Sequence, residues 1–216
     1  DGCGGVVTLM KGGYTPAPFF ESPPTSMTGT SHRGEMGIEF EAASSFSIAS
    51  LGRGVRSGEA ALKENTTLTL WSSSDRSELA HVQVGPSSPV NNSYAMEMLP
   101  AYVHLVGGSR YRLSMTTLRN TEDPYPNSYI YNGQQNPAAV WKGRVYSYSR
   151  RRNQVRRDYP NYGPHSRRMY GGVNFGIVEN EGCAEGTTCG DDNMCHTPAP
   201  TPAPTLDPDS PWEVAS

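Results

Sequence analysis

The 216-residue chain has no long apolar run, no sustained helical spacing of apolar residues and no recognisable catalytic motif. No stretch approaches the roughly 18 consecutive apolar residues of a membrane helix, so a helical membrane span is not expected. Apolar residues do not recur at helical intervals over three turns in any window, which excludes helix bundles, coiled coils and doubly wound α/β folds. Neither H-E-x-x-H nor G-x-S-x-G occurs, and His32, His81, His104, His165 and His196 are scattered. Glu39 and Glu41 share one strand face, which reads as its wet side, whereas a glycosidase needs two facing acids. The expectation is therefore a non-enzyme without cofactor or metal. Cysteine is scarce: four residues, Cys3, Cys183, Cys189 and Cys195.

What the chain has instead is 23 Gly and 18 Pro placed between short alternating runs, as turn residues are in an all-β protein. Gly37–Ala42, Ser45–Ala49, Thr66–Trp71, Leu79–Val84, Met96–Leu99, Tyr102–Val106, Arg110–Met115, Val140–Tyr148 and Gly172–Val178 read as strands. Gly107-Gly108 reads as a tight turn between two of them. Turn signals every ten to twenty residues or so are the pattern of an antiparallel β-sandwich. The expected layout is an N-terminal arm over 1–35, a sandwich over 36–180 with an insertion at 142–168, a Cys-rich knot over 181–196 and a Thr/Pro-rich tail over 197–216. Val6–Met10 can form a short strand able to join a neighbour's sheet edge, and the prolines that follow it are incompatible with a central strand.

The order Gly37-Ile38-Glu39-Phe40, Leu68-Thr69-Leu70-Trp71, Leu79-Ala80 and Tyr102-Val103-His104-Leu105-Val106-Gly107-Gly108-Ser109-Arg110-Tyr111-Arg112-Leu113 resembles a β-sandwich family catalogued only as a domain of unknown function. In that family an "LW…LA" hairpin precedes a "V.L.aGt.Y" motif and a closing strand, a role Asn174–Val178 can fill. The resemblance spans about residues 30–180 and implies a jelly-roll-like sandwich in secreted and cell-surface proteins, often beside carbohydrate-active modules. It implies no catalytic residues. The departures from it are the Arg-rich insertion and both Pro-rich ends.

An even cysteine count, the sequons at Asn65 and Asn91 and the Thr/Pro tail together point to an oxidising, secretory setting, at the cell surface or outside the cell. The chain starts at Asp1, which fits a processed chain or a fragment. The four cysteines allow three pairings, and their x5 spacings do not match zinc knuckles. Asp191, Asp192 and Asn193 could offer oxygens to calcium, but a turn is the favoured reading. Alternating prolines at 198–204 favour an extended polyproline spacer, and Thr197, Thr201 and Thr205 are O-glycan acceptors.

Charge is unevenly distributed. Lys142, Arg144, Arg150, Arg151, Arg152, Arg156, Arg157, Arg167 and Arg168 face only Asp158, so 142–168 carries +8. The chain as a whole carries −3, which leaves −11 elsewhere. Tyr146, Tyr148, Tyr159 and Tyr162 are interleaved, and Arg with Tyr favours buried interface centres. The overall acidity argues against nucleic acid. The expectation is a secreted structural glycoprotein whose partners are copies of itself, joined head-to-tail into a filament or surface layer. The basic patch of one copy would meet acids such as Glu39, Glu41, Glu59 or Glu64 of the next. The alternative is an adhesion module for anionic polysaccharide, with aromatic faces stacking on sugars and Arg pairing with acid groups.

Overall fold

In a computed structural model, the described residues are 16–21, 27–118, 120–130, 135–149, 158–165, 168–178, 188–189 and 195–196. They contain strands and no helix: β1 (Ala17–Pro18), β2 (Gly34–Ala42), β3 (Phe46–Gly54), β4 (Thr66–Ser72), β5 (Glu78–Val84), β6 (Val90–Asn91), β7 (Tyr94–Leu105), β8 (Arg110–Thr117), β9 (Asn127–Ile130), β10 (Ala139–Tyr146), β11 (Tyr162–His165), β12 (Arg168–Tyr170), β13 (Val173–Val178), β14 (Thr188–Cys189) and β15 (Cys195–His196). A five-stranded antiparallel sheet, β1-β13-β3-β7-β6, faces a six-stranded one, β11-β10-β2-β8-β4-β5. β9 with β12 and β14 with β15 form two small ribbons. The chain crosses between the main sheets at β1–β2, β2–β3, β3–β4, β5–β6, β7–β8 and between β11 and β13, as in a jelly-roll-like sandwich.

The core follows from the alternation. Ile38, Phe40, Leu68, Leu70, Leu113 and Met115 come from one sheet and Phe46, Ile48, Leu51, Phe175 and Ile177 from the other, all almost fully buried. Phe175 is the hub: its ring lies 4.6 Å from that of Phe40, 4.6 Å from Phe19 and 6.3 Å from Phe46. Each such burial contributes about 1.5–3 kcal/mol. Close approach requires glycine at several positions, Gly176 and Gly34 among them. A Cβ on Gly176 would meet Ser50 Oγ at 2.3 Å and Pro16 at 2.6 Å, and one on Gly34, whose φ is +134°, would meet the Ser147 carbonyl oxygen at 2.2 Å.

The sandwich reaches further toward the N-terminus than the expected boundary at residue 36. Phe19 and Phe20 are fully buried in the core and Met27 is buried too. Ala17 and Pro18 pair with Ile177 and Gly176, and the Phe19 N–H donates to the Phe175 carbonyl at 2.9 Å. Prolines here terminate an edge strand rather than exclude one, because an edge needs no second row of donors. Val6–Met10, the rest of the expected arm before residue 16 and the tail at 197–216 lie outside the described residues.

β7 also differs from expectation. Its 12 residues run through Pro100, where two strands had been anticipated. The register against β3 slips between the pairs Ile48↔Val103 and Ser50↔Met98, so the proline sits in an irregular stretch that needs no ladder donor.

Register fixes two poles. Ala42, Phe46, Leu105 and the Gly107-Gly108 turn mark one, where the Gly108 N–H donates to the Ala42 carbonyl at 2.7 Å. At this pole Val178, opposite Ser47, ends β13. Gly34 opposite Thr117, Tyr146 opposite Met36 and Val173 opposite Arg53 mark the other.

Candidate functional site: a basic and aromatic edge

The insertion roots at this second pole. β10 ends there and 147–149 continue beside 33–35, with the Ser147 and Ser149 N–H groups donating to the carbonyls of Glu35 at 2.8 Å and Arg33 at 3.1 Å. The chain returns as β11, pairing Tyr162 with Tyr146 and His165 with Arg144 at the sheet's edge. Register therefore gathers aromatic rings that sequence separates. Tyr146 and Tyr162 stack at 5.2 Å, and Tyr148 lies edge-on to Tyr146 at 5.4 Å. His165 stands 5.8 Å from Tyr146, and His32 stands 5.0 Å from Tyr148. Tyr148 is 62% exposed and Tyr162 49%, so this edge offers open aromatic faces.

The sequence placed Glu39 and Glu41 on a wet strand face; the structure buries Glu39 to 2% exposure, with Glu35, Thr69 and Ser114 fully buried on the same sheet. Residues 158–163 cover it. Arg112, opposite Glu39 in register, donates from Nε to the Glu39 carboxylate at 2.7 Å. Its other nitrogens donate to the carbonyls of Pro160 and Gly163, the latter at 3.0 Å. The Tyr159 ring sits 4.8 Å over the same guanidinium and 6.0 Å edge-on from Trp71. One arginine thus neutralises a buried acid and clamps the returning end of the insertion. Beside it, Ser114 Oγ donates to Glu35 at 2.7 Å and accepts from Trp71 Nε1 at 2.9 Å.

These contacts also account for most of the acids expected to meet a neighbour's basic patch. Lys142 first and Arg110 second hold the Glu41 carboxyl below its ordinary range. Glu59 pairs with Lys63 at 3.1 Å, and Glu64 accepts from Thr121 Oγ1 at 2.7 Å. Alternation alone could not distinguish a wet face from one covered by a later segment.

Of the expected interface residues, Arg144 is half-buried, Tyr159 half-buried and Tyr162 exposed. Arg168 begins β12, while Arg150, Arg151, Arg152, Arg156, Arg157 and Arg167 lie outside the described residues. Asn65 is exposed just before β4. Asn91 is exposed beside a two-residue turn in which Asn92 and Ser93 have φ of 48° and 61°, so that sequon sits on a hairpin tip. Thr197, Thr201, Thr205, Cys3, Cys183 and the Asp191–Asn193 segment lie outside the described residues. Sequence reading missed His32, which precedes β2 by two residues and carries no motif.

The His32 ring is set by the pole. Nε2 lies 2.9 Å from the Ser147 carbonyl oxygen and 3.2 Å from that of Glu35, so this nitrogen carries the proton and donates. Burial lowers its pKa, only partly offset by those two carbonyls. The unfolded chain therefore takes the proton first. Stability should begin to fall as pH drops through about 6.5 and level off below the folded midpoint. An NMR titration placing the His32 midpoint below that of an unfolded peptide checks this; a midpoint above it contradicts the packing described.

A hollow of about 250 Å³ beside β7, lined by Pro16, Pro18, Tyr94, Met96 and Met98 among others, brings together only Glu97 as a charged group. Among the described residues no group of three His, Cys, Asp or Glu could hold a metal ion. No family model matches the chain, and no curated protein matches its sequence.

Proposed function

We propose that the chain is a secreted structural glycoprotein that associates head-to-tail through the basic, aromatic edge, building a filament or surface layer. The observation that carries this reading is the opposition of charge along the fold. Of the +8 stretch at 142–168, Lys142 and Arg144 stand within β10 and the other seven bases follow in sequence after the pole where β10 stops, the last of them, Arg168, opening β12. The chain leaves β13 at the other pole, and 179–216 then contains eight acidic residues and no Lys or Arg. This C-terminal segment, rather than Glu39 or Glu41, is the complementary partner. A basic patch and an acidic segment rooted at opposite poles form two different surfaces, and such a contact need not close. The alternating prolines at 198–204 stiffen the connection, and the exposed rings of Tyr148 and Tyr162 provide a face on which proline packs. Asn65, Asn91 and the tail threonines would carry the glycans of this extracellular setting.

The test is sedimentation and light scattering of the full chain across salt concentration. The screening length shrinks from about 10 Å at 0.1 M to about 3 Å at 1 M. Large particles are expected at low salt, dissolving to monomer near 1 M, and deletion of 206–216 should weaken assembly. A monomer at low salt over a wide concentration range sinks the proposal.

A second reading, adhesion to an anionic polysaccharide, is favoured by the open stacking of Tyr146 and Tyr162. It predicts saturable binding of a polyuronate to the monomer, lost on Tyr148→Ala/Tyr162→Ala. A monomeric protein that binds the polyuronate selects this reading over assembly.

A further inference from the structure

We propose that Asn91 carries an N-linked glycan whose first amino sugar packs into the hollow beside β7. This rests on the secretory setting proposed above; the shape of the hollow follows from register. One row crosses four strands: Met98 lies opposite Ser50, Ser50 opposite Gly176 and Gly176 opposite Pro18. In the next row Met96 lies opposite Gly52. Small residues in the middle of the row, with methionine at one end and proline at the other, leave a depression of about 250 Å³ across the five-stranded sheet. Just below the roughly 300 Å³ at which pockets for drug-sized ligands begin, it suits one sugar ring rather than an oligosaccharide.

Asn91 selects the occupant. It heads the sequon Asn91-Asn92-Ser93, is exposed and lines the hollow itself. Among the described residues its side-chain amide has no hydrogen-bond partner, so Nδ2 is open to substitution. Asn91 lies opposite Tyr94, two positions before Met96 in β7, and a sugar on Nδ2 therefore starts at the rim. A pyranose presents a C–H face and an acetamido methyl; thioether chains and proline rings are apolar and adaptable partners for both. Met98, 47% exposed, is the surface such a ring would cover. Asn65 differs. It borders a hollow of about 150 Å³ lined mainly by threonines with Arg53 and Glu64, which offers no comparable apolar floor.

The sugar arrives by transfer from a polyprenyl-pyrophosphate oligosaccharide of the secretory compartment. Asn91 Nδ2 bonds to the anomeric carbon and gives up one proton. The bond from that carbon to the pyrophosphate oxygen breaks, and the lipid pyrophosphate leaves with the bonding pair.

The experiment uses the full chain secreted by a eukaryotic host. Trypsin places the two sequons on separate peptides, 64–76 and 77–110. A glycan is expected on 77–110. An endoglycosidase then trims it to a single N-acetylglucosamine. The trimmed protein should show a nuclear Overhauser contact between the acetamido methyl and the Met96 or Met98 methyl. It should also melt about 2–4 °C above Asn91→Gln. In a Met96→Ser/Met98→Ser background that difference should vanish, which separates sugar packing from the cost of the serines. An unmodified 77–110 peptide overturns the proposal, as does a trimmed sugar with no contact and the Tm of Asn91→Gln. Met98 methyl shifts that depend on protein concentration assign the hollow to a second copy and also overturn it. Assembly plays no part: a monomer at low salt leaves the docked sugar in place, whereas salt-sensitive particles with 77–110 unmodified overturn this inference alone.

Discussion

Arg112→Met is expected to destabilise the sandwich by about 3–5 kcal/mol, because it strips the buried Glu39 carboxylate of its 2.7 Å partner and leaves it the exposed Arg110 at 3.9 Å. Arg112 is 7% exposed, and its guanidinium serves three acceptors: the Glu39 carboxylate and the carbonyls of Pro160 and Gly163. A loss of this size should appear as a lowered urea midpoint with an unchanged slope, and as new proteolysis within 158–163 once the clamp is gone. Glu39→Leu combined with Arg112→Met should be less harmful than Arg112→Met alone, since removing both partners removes the stranded charge. Arg110→Met is the control. That side chain pairs with Glu41 at 3.3 Å and reaches Glu39 at 3.9 Å but is 56% exposed, so no more than about 1 kcal/mol is expected. If Arg112→Met costs no more than Arg110→Met, residues 158–163 do not seal the outer face of the sheet, and the basic edge has no fixed platform.

The strands that carry the core were legible because their apolar positions alternate, and alternation is the physical requirement for one buried face. β2, β3, β4, β5, β8, β10 and β13 each overlap an expected segment, although β2 begins three residues earlier and β3 runs five residues further than expected. What could not be read falls into two kinds. The short pieces β1, β6, β9, β11, β12, β14 and β15 span two to four residues, too few to show a period, and tertiary pairing alone defines them. The second kind is depth. Glu39, Glu41, Arg110 and Arg112 look alike in sequence, yet Glu39 and Arg112 are buried and Arg110 is exposed. The difference is made by Tyr159 and Pro160, about 50 residues further along, whose position over the sheet no local pattern encodes. The cluster of aromatic rings shows both sides. Tyr146, Tyr148 and Tyr162 were identifiable as interleaved with basic residues, but their stacking depends on the β10–β11 register, and His32 joins them only because β2 begins beside Ser147. The charge asymmetry, by contrast, was countable from composition; the poles that give it direction came from pairing.

Asn174→Ala should cost about 3–5 kcal/mol, a large penalty for a residue that no sequence pattern distinguishes from its neighbours in the closing strand. Its side chain is fully buried, and the amide holds the N-terminal segment to the core. Oδ1 accepts from the Phe20 N–H at 2.9 Å and the Phe175 N–H at 3.0 Å, while Nδ2 donates to the Phe20 carbonyl at 2.8 Å. Alanine removes the partner that the amide gives the Phe20 N–H, the Phe20 carbonyl and the Phe175 N–H, in an apolar setting beside Phe19, Phe20 and Phe175. Each unmet group costs about 1–3 kcal/mol unless water enters. For a domain of this size, each kcal/mol corresponds to about 2–4 °C in Tm, so a fall of roughly 10 °C is expected. Asn174→Asp should be at least as harmful, since it exchanges the Nδ2 donor for a buried charge. The readout that separates this clasp from ordinary core loss is local: peptides covering 16–20 should lose hydrogen-exchange protection before those covering β2 and β8. Phe19 and Phe20 would then detach as a unit, and the edge of β13 would open to pairing by another chain. A shift below about 1 kcal/mol with 16–20 still protected would mean that ring packing alone holds this segment.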